Sequence, residues 1–237
     1  MTYLAALAIL SLLVAVHELG HLLAGKWMNV PIARFSVGFG RKLAGFTYGG
    51  TEYRLSAIPL GGYVMPAIEE EEEYFRLSAR QRIIFALGGP LANILFALPA
   101  IALINALSGP ATIYDLTLGP VIQAMVILKA VLLAIPAIFS QPENVSSVVG
   151  IVSVGGQFAA SGIIGALKFA VIISLNLAIF NMLPLPPLDG GKIVLDVLEA
   201  QSPKLAKGYV PACMIGWIAL IGLMIYATAQ DIIRLSA

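Results

Sequence analysis

Charged residues are scarce in this sequence of 237 residues, of which only 11% are Asp, Glu, Lys or Arg. Soluble globular domains carry about 25% of such residues. Hydrophobic residues make up 59% of the chain, and the mean hydropathy is +0.92. This composition excludes an ordinary soluble domain and predicts an α-helical integral membrane protein surrounded by the lipid bilayer. The net charge is only +1 and no basic tract occurs, so we expect no nucleic-acid partner.

Cysteine and histidine are rarer still. Cys213 is the one cysteine, so the chain cannot form an internal disulfide or a cysteine-rich zinc site. Histidine occurs only as His17 and His21. Any site that needs more than two imidazoles within one chain is therefore excluded as well.

Four segments are long and apolar enough to cross a bilayer, because about 20 apolar residues make a full span. They are residues 3–28, 82–107, 161–183 and 209–230. Residues 3–16 resemble the core of a signal peptide, but no basic stretch precedes them and no small-residue cleavage site follows. We therefore expect a retained first helix and about four transmembrane helices, which form a single membrane-embedded unit over residues 1–237.

Residues 34–65 differ from these spans, since they are rich in Gly, Tyr, Phe and Val. Gly49 and Gly50 supply the centre of a tight turn with β-prone residues on both sides. The segment predicts a small membrane-associated β-hairpin or sheet after the first helix.

Basic residues are distributed unevenly along the chain. Eight Lys or Arg residues lie between positions 26 and 82, and Lys192, Lys204 and Lys207 lie before the last span. Because basic residues concentrate on the cytoplasmic side of a membrane, we expect 29–81 and 184–208 in the cytoplasm and the N-terminus outside. This orientation predicts a multi-pass protein of the inner or plasma cell membrane, with any site near these segments opening toward the cytoplasm.

A fifth apolar stretch, residues 117–140, has the length of a span but contains Pro120, Lys129 and Pro136. If 29–81 and 184–208 share one side, an even number of crossings separates them. The segments 82–107 and 161–183 already make two. The stretch therefore lies on the outer interface, re-enters the membrane, or pairs with a weak crossing at 144–160, and we expect the interfacial placement.

Three ionisable residues interrupt the first span in the pattern H-E-x-x-H, formed by His17, Glu18 and His21. Positions i and i+4 lie on one face of a helix, so both imidazoles can reach one metal ion, and Glu18 can accept a proton from water bound to it. The alternative is that these residues make structural hydrogen bonds between helices. Ionisable groups are costly at membrane depth, which favours the functional interpretation.

A catalytic zinc ion takes three protein ligands, and no third histidine exists. A carboxylate is needed, and Asp189 is the best placed because Pro184, Pro186 and Pro187 break the third span just before it. Broken helix at membrane depth is tolerated where it lines a cavity or is buried in protein. The alternative is that Asp189 caps a helix over 190–199, and the two roles are compatible.

Two motifs together resemble the site-2 protease family of intramembrane zinc metalloproteases. These are H-E-x-x-H in the first span and N-x-x-P-x-x-x-L-D-G, which runs here from Asn181 to Gly190. The segments "GGPLAN" at 88–93 and "IPLGGYV" at 58–64 are also similar to family segments. The resemblance implies that His17, His21 and Asp189 hold one zinc ion and that Glu18 acts as the base.

The family resemblance further implies cleavage of a peptide bond within a transmembrane helix of a protein or peptide substrate. Such cleavage serves regulated intramembrane proteolysis or the clearance of signal-peptide remnants. The sequence departs from the sigma-E-regulator protease type, whose members carry PDZ domains between the second and third core spans. The connection 108–160 is too short and too apolar for such a domain.

Buried amides and one strand are the candidates for substrate binding. Asn93, Asn176 and Asn181 lie in or next to spans, where one or more of them is expected to bind the substrate backbone or oxyanion. The alternative is that they hydrogen-bond between helices. Residues 52–58, with Leu55 and Ala57, can offer a strand edge to an extended substrate, or can simply belong to a structural sheet at the cytoplasmic mouth.

Two other functions use the same residues. A zinc transporter or sensor would use His17, His21 and Asp189 as a transit site, but it would need further ligands in this histidine-poor chain. An inactive protease-like scaffold would not need an intact Glu18. A protease is the function that we expect.

Overall fold

The computed structural model describes residues 1–68, 71–141 and 145–236. In chain order its elements are α1 (Thr2–Trp27), β1 (Ile32–Tyr48), β2 (Thr51–Pro66), α2 (Glu71–Arg76), α3 (Ala79–Ser108), α4 (Ile113–Leu116), α5 (Leu118–Ser140), α6 (Val148–Ala160), α7 (Ile163–Asn181), α8 (Asp189–Gln201), a short 3₁₀ helix (Pro203–Gly208) and α9 (Tyr209–Ser236). A helical membrane protein with a small sheet after its first helix is thereby confirmed.

Within the described residues, five helices, rather than about four, are long and apolar enough to cross a membrane. They are α1, α3, α7, α9 and the Leu118–Ala137 part of α5. The fifth is the segment for which the sequence favoured an interfacial position.

The backbones of α1 and α3 touch at Gly20 and Gly88. A Cβ atom at Gly20 would lie 2.6 Å from the Ala92 Cβ, and one at Gly88 would lie 2.7 Å from the Ala24 Cβ. Small residues let membrane helices approach this closely, and dispersion contacts then hold them together. The contact brings the H-E-x-x-H turn of α1 against residues 85–93 of α3.

Helix α5 packs against two of the neighbouring helices. Ala124 of α5 belongs to one buried cluster with Ala97 and Ile101 of α3 and Val171 and Leu175 of α7. Farther along, Ala134 and Ala137 share a cavity with Phe180, near the end of α7. Helix α5 thus runs alongside α7 in the same direction, because its apolar residues bury themselves against both neighbouring helices.

The α6 helix returns toward the start of α1. Val148 and Ile151 line a cavity with Asn176 of α7, whereas a Cβ at Gly156 would lie 2.5 Å from the ring of Tyr3. Helices α5 and α6 therefore run in opposite directions along the bundle. This packing suits both a re-entrant segment and a paired weak crossing, and the interfacial placement of 117–140 stays a prediction.

Strands β1 and β2 form the sheet, and they pair with one another at two places. Around the turn at Gly49 and Gly50, Tyr48 pairs with Thr51 and Ala44 pairs with Leu55. The beginning of β1 then adds a second set of pairs, in which Val37 is the partner of both Leu55 and Gly62.

The expected strand edge at 52–58 is therefore wrong for Leu55. This residue has Ala44 on one side and Val37 on the other, so its backbone lies inside the sheet. The free edge nearest the helices is the end of β2, where residues 62–65 pair with β1 on one side only among the described strands.

Candidate active site

Helix α1 presents His17 and His21 on the side that faces α3, and Glu18 beside them toward the end of β2. Both histidines are buried, with 7% and 6% of their surface exposed, and Glu18 is half-buried beside them. Because His17 and His21 are one turn apart, their Nε2 atoms come within 3.1 Å of each other.

Asp189 reaches the same point from the other end of the chain. Its Oδ2 lies 3.1 Å from His17 Nε2 and 3.2 Å from His21 Nε2. Asp189 is the first residue of α8, whose N-cap is Leu188, and the structure shows no side-chain cap. The carboxylate therefore faces the histidines, and the helix-capping alternative finds no support.

The protonation of Asp189 suits a metal ligand. Burial acts to raise the pKa of this carboxyl, but the hydrogen bonds with His17 and His21 outweigh it and hold the pKa far below its usual range. Lys192, one turn along α8, donates to the other carboxylate oxygen at 3.3 Å. The carboxylate is thus ionised and oriented.

The three donor atoms fit one zinc ion. Ligand atoms at about 2.0–2.1 Å from a tetrahedral zinc are about 3.3 Å apart, and the three distances here are 3.1, 3.1 and 3.2 Å. These residues form the one group of potential metal ligands found in the described part of the chain. Three ligands leave a fourth position for water or substrate.

Gly89 of α3 keeps this space open. A Cβ atom there would lie 2.6 Å from both Cε1 and Nε2 of His17 and closer still to Nε2 of His21. Any side chain would therefore occupy the volume in front of the metal-facing nitrogens. No sequence pattern indicated this role, because the residue acts by lacking atoms.

The second nitrogens of the imidazoles meet α3. His21 Nδ1 lies 2.8 Å from the carbonyl oxygen of Phe85, to which it can donate. His17 Nδ1 lies 3.1 Å from the side-chain nitrogen of Asn93. Helix α3 thus orients both rings from behind.

A cavity of about 340 Å³ opens in front of the three ligands. It is lined by Glu18, by Gly62 and Val64 on the edge of β2, and by Trp217 of α9. A Cβ at Gly62 would lie 3.2 Å from Cγ of Glu18. The free sheet edge, the carboxylate and the metal ligands therefore share one space.

The structure separates the predicted substrate-binding residues. Asn181 lines this cavity and donates to the Leu177 carbonyl at 2.9 Å, while Asn93 is fully buried behind His17. Asn176 donates to Ile172 of its own helix and lines a different cavity. Leu55 and Ala57 are exposed, and neither lines the cavity in front of the ligands.

A buried ionic cluster lies beside the site and was missed at the level of sequence. Arg82 of α3 pairs with Asp196 at 3.5 Å and with Glu199, and it packs over the rings of Tyr74 and Phe75 at 5.2 and 4.9 Å. Burial raises the pKa of Asp196 to about 6, although Arg82 opposes this. The cluster ties α2, α3 and α8 together around a cavity of about 470 Å³ that also touches Asp189.

Comparisons with known proteins agree with this geometry. The sequence profile described as Peptidase family M50 matches residues 5–223. A protein of Agrobacterium fabrum, provisionally named a zinc metalloprotease, is 25% identical over 352 positions, which cover 94% of this chain and 93% of the relative. A Clostridium perfringens protein with the same provisional description is 27% identical over 326 positions, covering 96% and 97%.

A chloroplastic membrane metalloprotease of Arabidopsis thaliana is 24% identical over 316 positions, covering 83% of this chain and 70% of the relative. The 352 positions aligned with the Agrobacterium protein exceed the 237 residues of this chain by 115, so that relative contains segments without a counterpart here. With the match extending over nearly the whole sequence, the chain belongs to peptidase family M50, the site-2 protease family, and is a membrane zinc metalloendopeptidase.

Proposed function

We propose that this enzyme hydrolyses peptide bonds within or next to the transmembrane segments of membrane protein substrates. His17, His21 and Asp189 hold one zinc ion, and Glu18 is the catalytic base. The observation that carries the proposal is the buried triangle of donor atoms, which faces Glu18 and a free strand edge inside a bundle of apolar helices.

The division of roles follows from the chemistry of each residue. A zinc ion held by these ligands supplies Lewis acidity, which polarises a peptide carbonyl and lowers the pKa of a water molecule to about 7. Glu18 lines the cavity without belonging to the ligand group. It accepts the proton of the attacking water and returns it to the leaving amine, a role worth about 10²–10⁴ in rate.

The edge of β2 provides a way to hold the substrate extended. A helical peptide shields its own scissile bond, whereas an unpaired strand edge offers N–H and C=O groups to an extended chain. Residues 62–64 of β2 line the cavity beside Glu18. A substrate paired with this edge passes directly in front of the zinc ligands, and the amide of Asn181 is placed to contact its backbone.

The orientation in the membrane follows from the basic residues. The sheet and α8 belong to segments rich in Lys and Arg, which supports a cytoplasmic position for both and an N-terminus outside. The zinc cavity lies between these two elements, so we place its opening toward the cytoplasm of a cell membrane.

Two measurements test the proposal. Purified protein in proteoliposomes should cleave a transmembrane peptide and hold about one zinc ion per chain. The Glu18→Gln variant should keep zinc and lose at least about 10²-fold in rate, since it removes only the base. His17→Ala, His21→Ala and Asp189→Ala should lose zinc and activity together.

The location of the cut decides the substrate class. Mass spectrometry should place it inside or at the end of the apolar segment, and cleavage confined to soluble loops would contradict an intramembrane role. Metal transport by the Glu18→Gln variant would instead support the transporter. The identity of the substrates that this variant traps in cells distinguishes the two biological roles. A few membrane-bound regulators would indicate regulated signalling, whereas many signal-peptide remnants would indicate clearance.

A further inference from the structure

Asn93 makes an unusual contact with His17. Its side chain is completely buried, and its Nδ2 lies 3.1 Å from Nδ1 of the imidazole. Its Oδ1 is also buried and has no hydrogen-bond partner among the described residues. Buried polar atoms rarely remain without a partner, so this oxygen calls for an explanation.

The tautomer of His17 supplies the explanation. A neutral imidazole carries one N–H and one lone pair. Nε2 of His17 faces Asp189 and His21, where its lone pair is needed for a metal ion. Nδ1 must then carry the hydrogen and donate it, which requires an acceptor.

His21 shows the arrangement that His17 lacks. Its Nδ1 lies 2.8 Å from the Phe85 carbonyl, an acceptor that fixes the hydrogen on Nδ1 and leaves Nε2 free. The group facing Nδ1 of His17 is an amide nitrogen, which only donates. Two N–H groups cannot hydrogen-bond to each other, so this pairing is incompatible with zinc on His17.

A half-turn of the Asn93 carboxamide removes the conflict. It brings Oδ1 to Nδ1 of His17 and moves Nδ2 to the position where the oxygen finds no donor. We infer that Asn93 is a positioning residue: in the zinc-loaded enzyme its Oδ1 accepts the Nδ1 hydrogen of His17 and fixes the tautomer and orientation of that ligand. This role rests on the proposed ligation of zinc by His17.

An amide suits this position better than a carboxylate. A further negative charge behind His17 would be costly at membrane depth, whereas a neutral acceptor fixes the ring without it. Asn93 then acts through His17 and does not contact the substrate.

Zinc affinity tests this inference with two variants and a matched control. Asn93→Leu keeps the branched shape and the number of side-chain heavy atoms but has no acceptor, and it should weaken zinc binding about 10–100-fold in competition with a chromophoric chelator. Asn93→Asp keeps an acceptor and should recover most of the affinity. Asn176→Leu makes the same change on α7, where the amide bonds to its own helix, and should leave the affinity unchanged.

Several results would overturn the inference. Wild-type zinc affinity in Asn93→Leu would do so, as would equal losses in the leucine and aspartate variants. If zinc also survives His17→Ala, the proposed ligand set itself fails, which is a separate result. The backbone carbonyl of Asn93 accepts from Ser174 in every variant, so this link between α3 and α7 is unaffected.

A spectroscopic test does not depend on the folding of any variant. Because the chain has only two histidines, ¹⁵N-histidine labelling gives signals from two imidazoles. In the zinc-loaded wild type both should be protonated at Nδ1, with both hydrogens shifted downfield by hydrogen bonds. A zinc-loaded histidine whose Nδ1 hydrogen shows no hydrogen-bond shift would contradict the acceptor role of Asn93.

Discussion

Gly89 acts in this enzyme through the absence of a side chain. In Gly89→Ala the new Cβ would lie 2.6 Å from Nε2 of His17, and moving α3 away would break the close contact of Gly88 with α1. We expect this variant to fold and to lose zinc and activity. Gly222→Ala is the matched control, because a Cβ at that helical glycine would meet no described neighbouring group within 4 Å, and the zinc content should stay at the wild-type value.

Metal analysis and thermal unfolding with and without a chelator separate the possible results. A Gly89→Ala protein that is as stable as wild type without metal, yet gains no stability from zinc, is the expected result. Stoichiometric zinc in this variant would show that the volume in front of the imidazoles is not where the ion binds.

Asp196 should make the free energy of unfolding depend on pH, and this contribution can be measured separately from that of other groups. Burial raises its pKa from an ordinary 3.8 to about 6. Because the folded state binds this proton more tightly than the unfolded state, the stabilisation is fully present below about pH 4 and is lost as the pH rises through about 6. Asp196→Asn removes this dependence.

The measurement is the difference in unfolding free energy between the two proteins, with chelator present so that zinc does not contribute. From about pH 4 to about pH 7 the difference should shift in favour of Asp196→Asn, by at most about 3 kcal/mol. Parallel pH profiles for the two proteins would show that Asp196 titrates normally.

Some residues of the site were predictable and others were not, for physical reasons. His17, Glu18 and His21 were accessible because their spacing of one helical turn is local. Asp189 needed both the shortage of histidine and the family resemblance. The relation of Asn93 to His17 depends on how two helices pack, and no local pattern indicates which face of α3 meets which turn of α1.

At the scale of elements, the sequence predicted the sheet but not its edge. The turn at Gly49 and Gly50 was predicted from a local signal, and Tyr48 pairs with Thr51 as expected. The pairing of Val37 with Leu55 was not predictable, since β1 must first bend. Gly38 has a φ of +88° and a Cβ there would lie 2.8 Å from the Ile58 carbonyl oxygen, so only glycine suits this bend.

The free edge at the end of β2 determines where proline substitutions should affect substrate cleavage. Proline removes a backbone N–H, and neighbouring N–H groups of a strand point to opposite sides. Substitutions at Tyr63, Val64 and Met65 should therefore alternate: those that remove an outward N–H should lower cleavage strongly, because they remove a bond to the substrate. Zinc content should not change in those variants.

Leu55→Pro is the contrasting variant for this scan. Leu55 pairs on both sides, so its proline should lower the thermal stability of the protein as well as its activity. Equal effects at all three positions of the β2 edge, without alternation, would contradict substrate binding by strand addition. Cleavage lost only together with stability would point to a purely structural sheet.

At the scale of the whole molecule, α5 shows what composition can and cannot predict. Its apolar length was evident, but Lys129 and two prolines favoured an interfacial position. The structure packs Ala124 between α3 and α7, where van der Waals contacts hold membrane helices together. If α5 crosses the membrane, α6 must return, so that the number of crossings stays even.

Cysteine labelling in intact cells tests this topology, and the chain suits it because only Cys213 must first be replaced by serine. Leu43→Cys on the sheet and Lys204→Cys after α8 should react only with reagents that reach the cytoplasm, as basic residues surround both. Ala111→Cys, between α3 and α4, should react from outside. Labelling of the first two positions from opposite faces would separate the sheet from α8 and contradict their shared zinc site.

Ser140→Cys distinguishes a crossing α5 from an interfacial one. This exposed residue ends α5, near the cavity that contains Phe180 at the far end of α7. If α5 crosses beside α7, an impermeant reagent added outside cannot reach residue 140, although it labels Ala111→Cys in a parallel sample. Equal labelling of both positions from outside would return α5 to the interface, and it would leave α6 without a partner crossing.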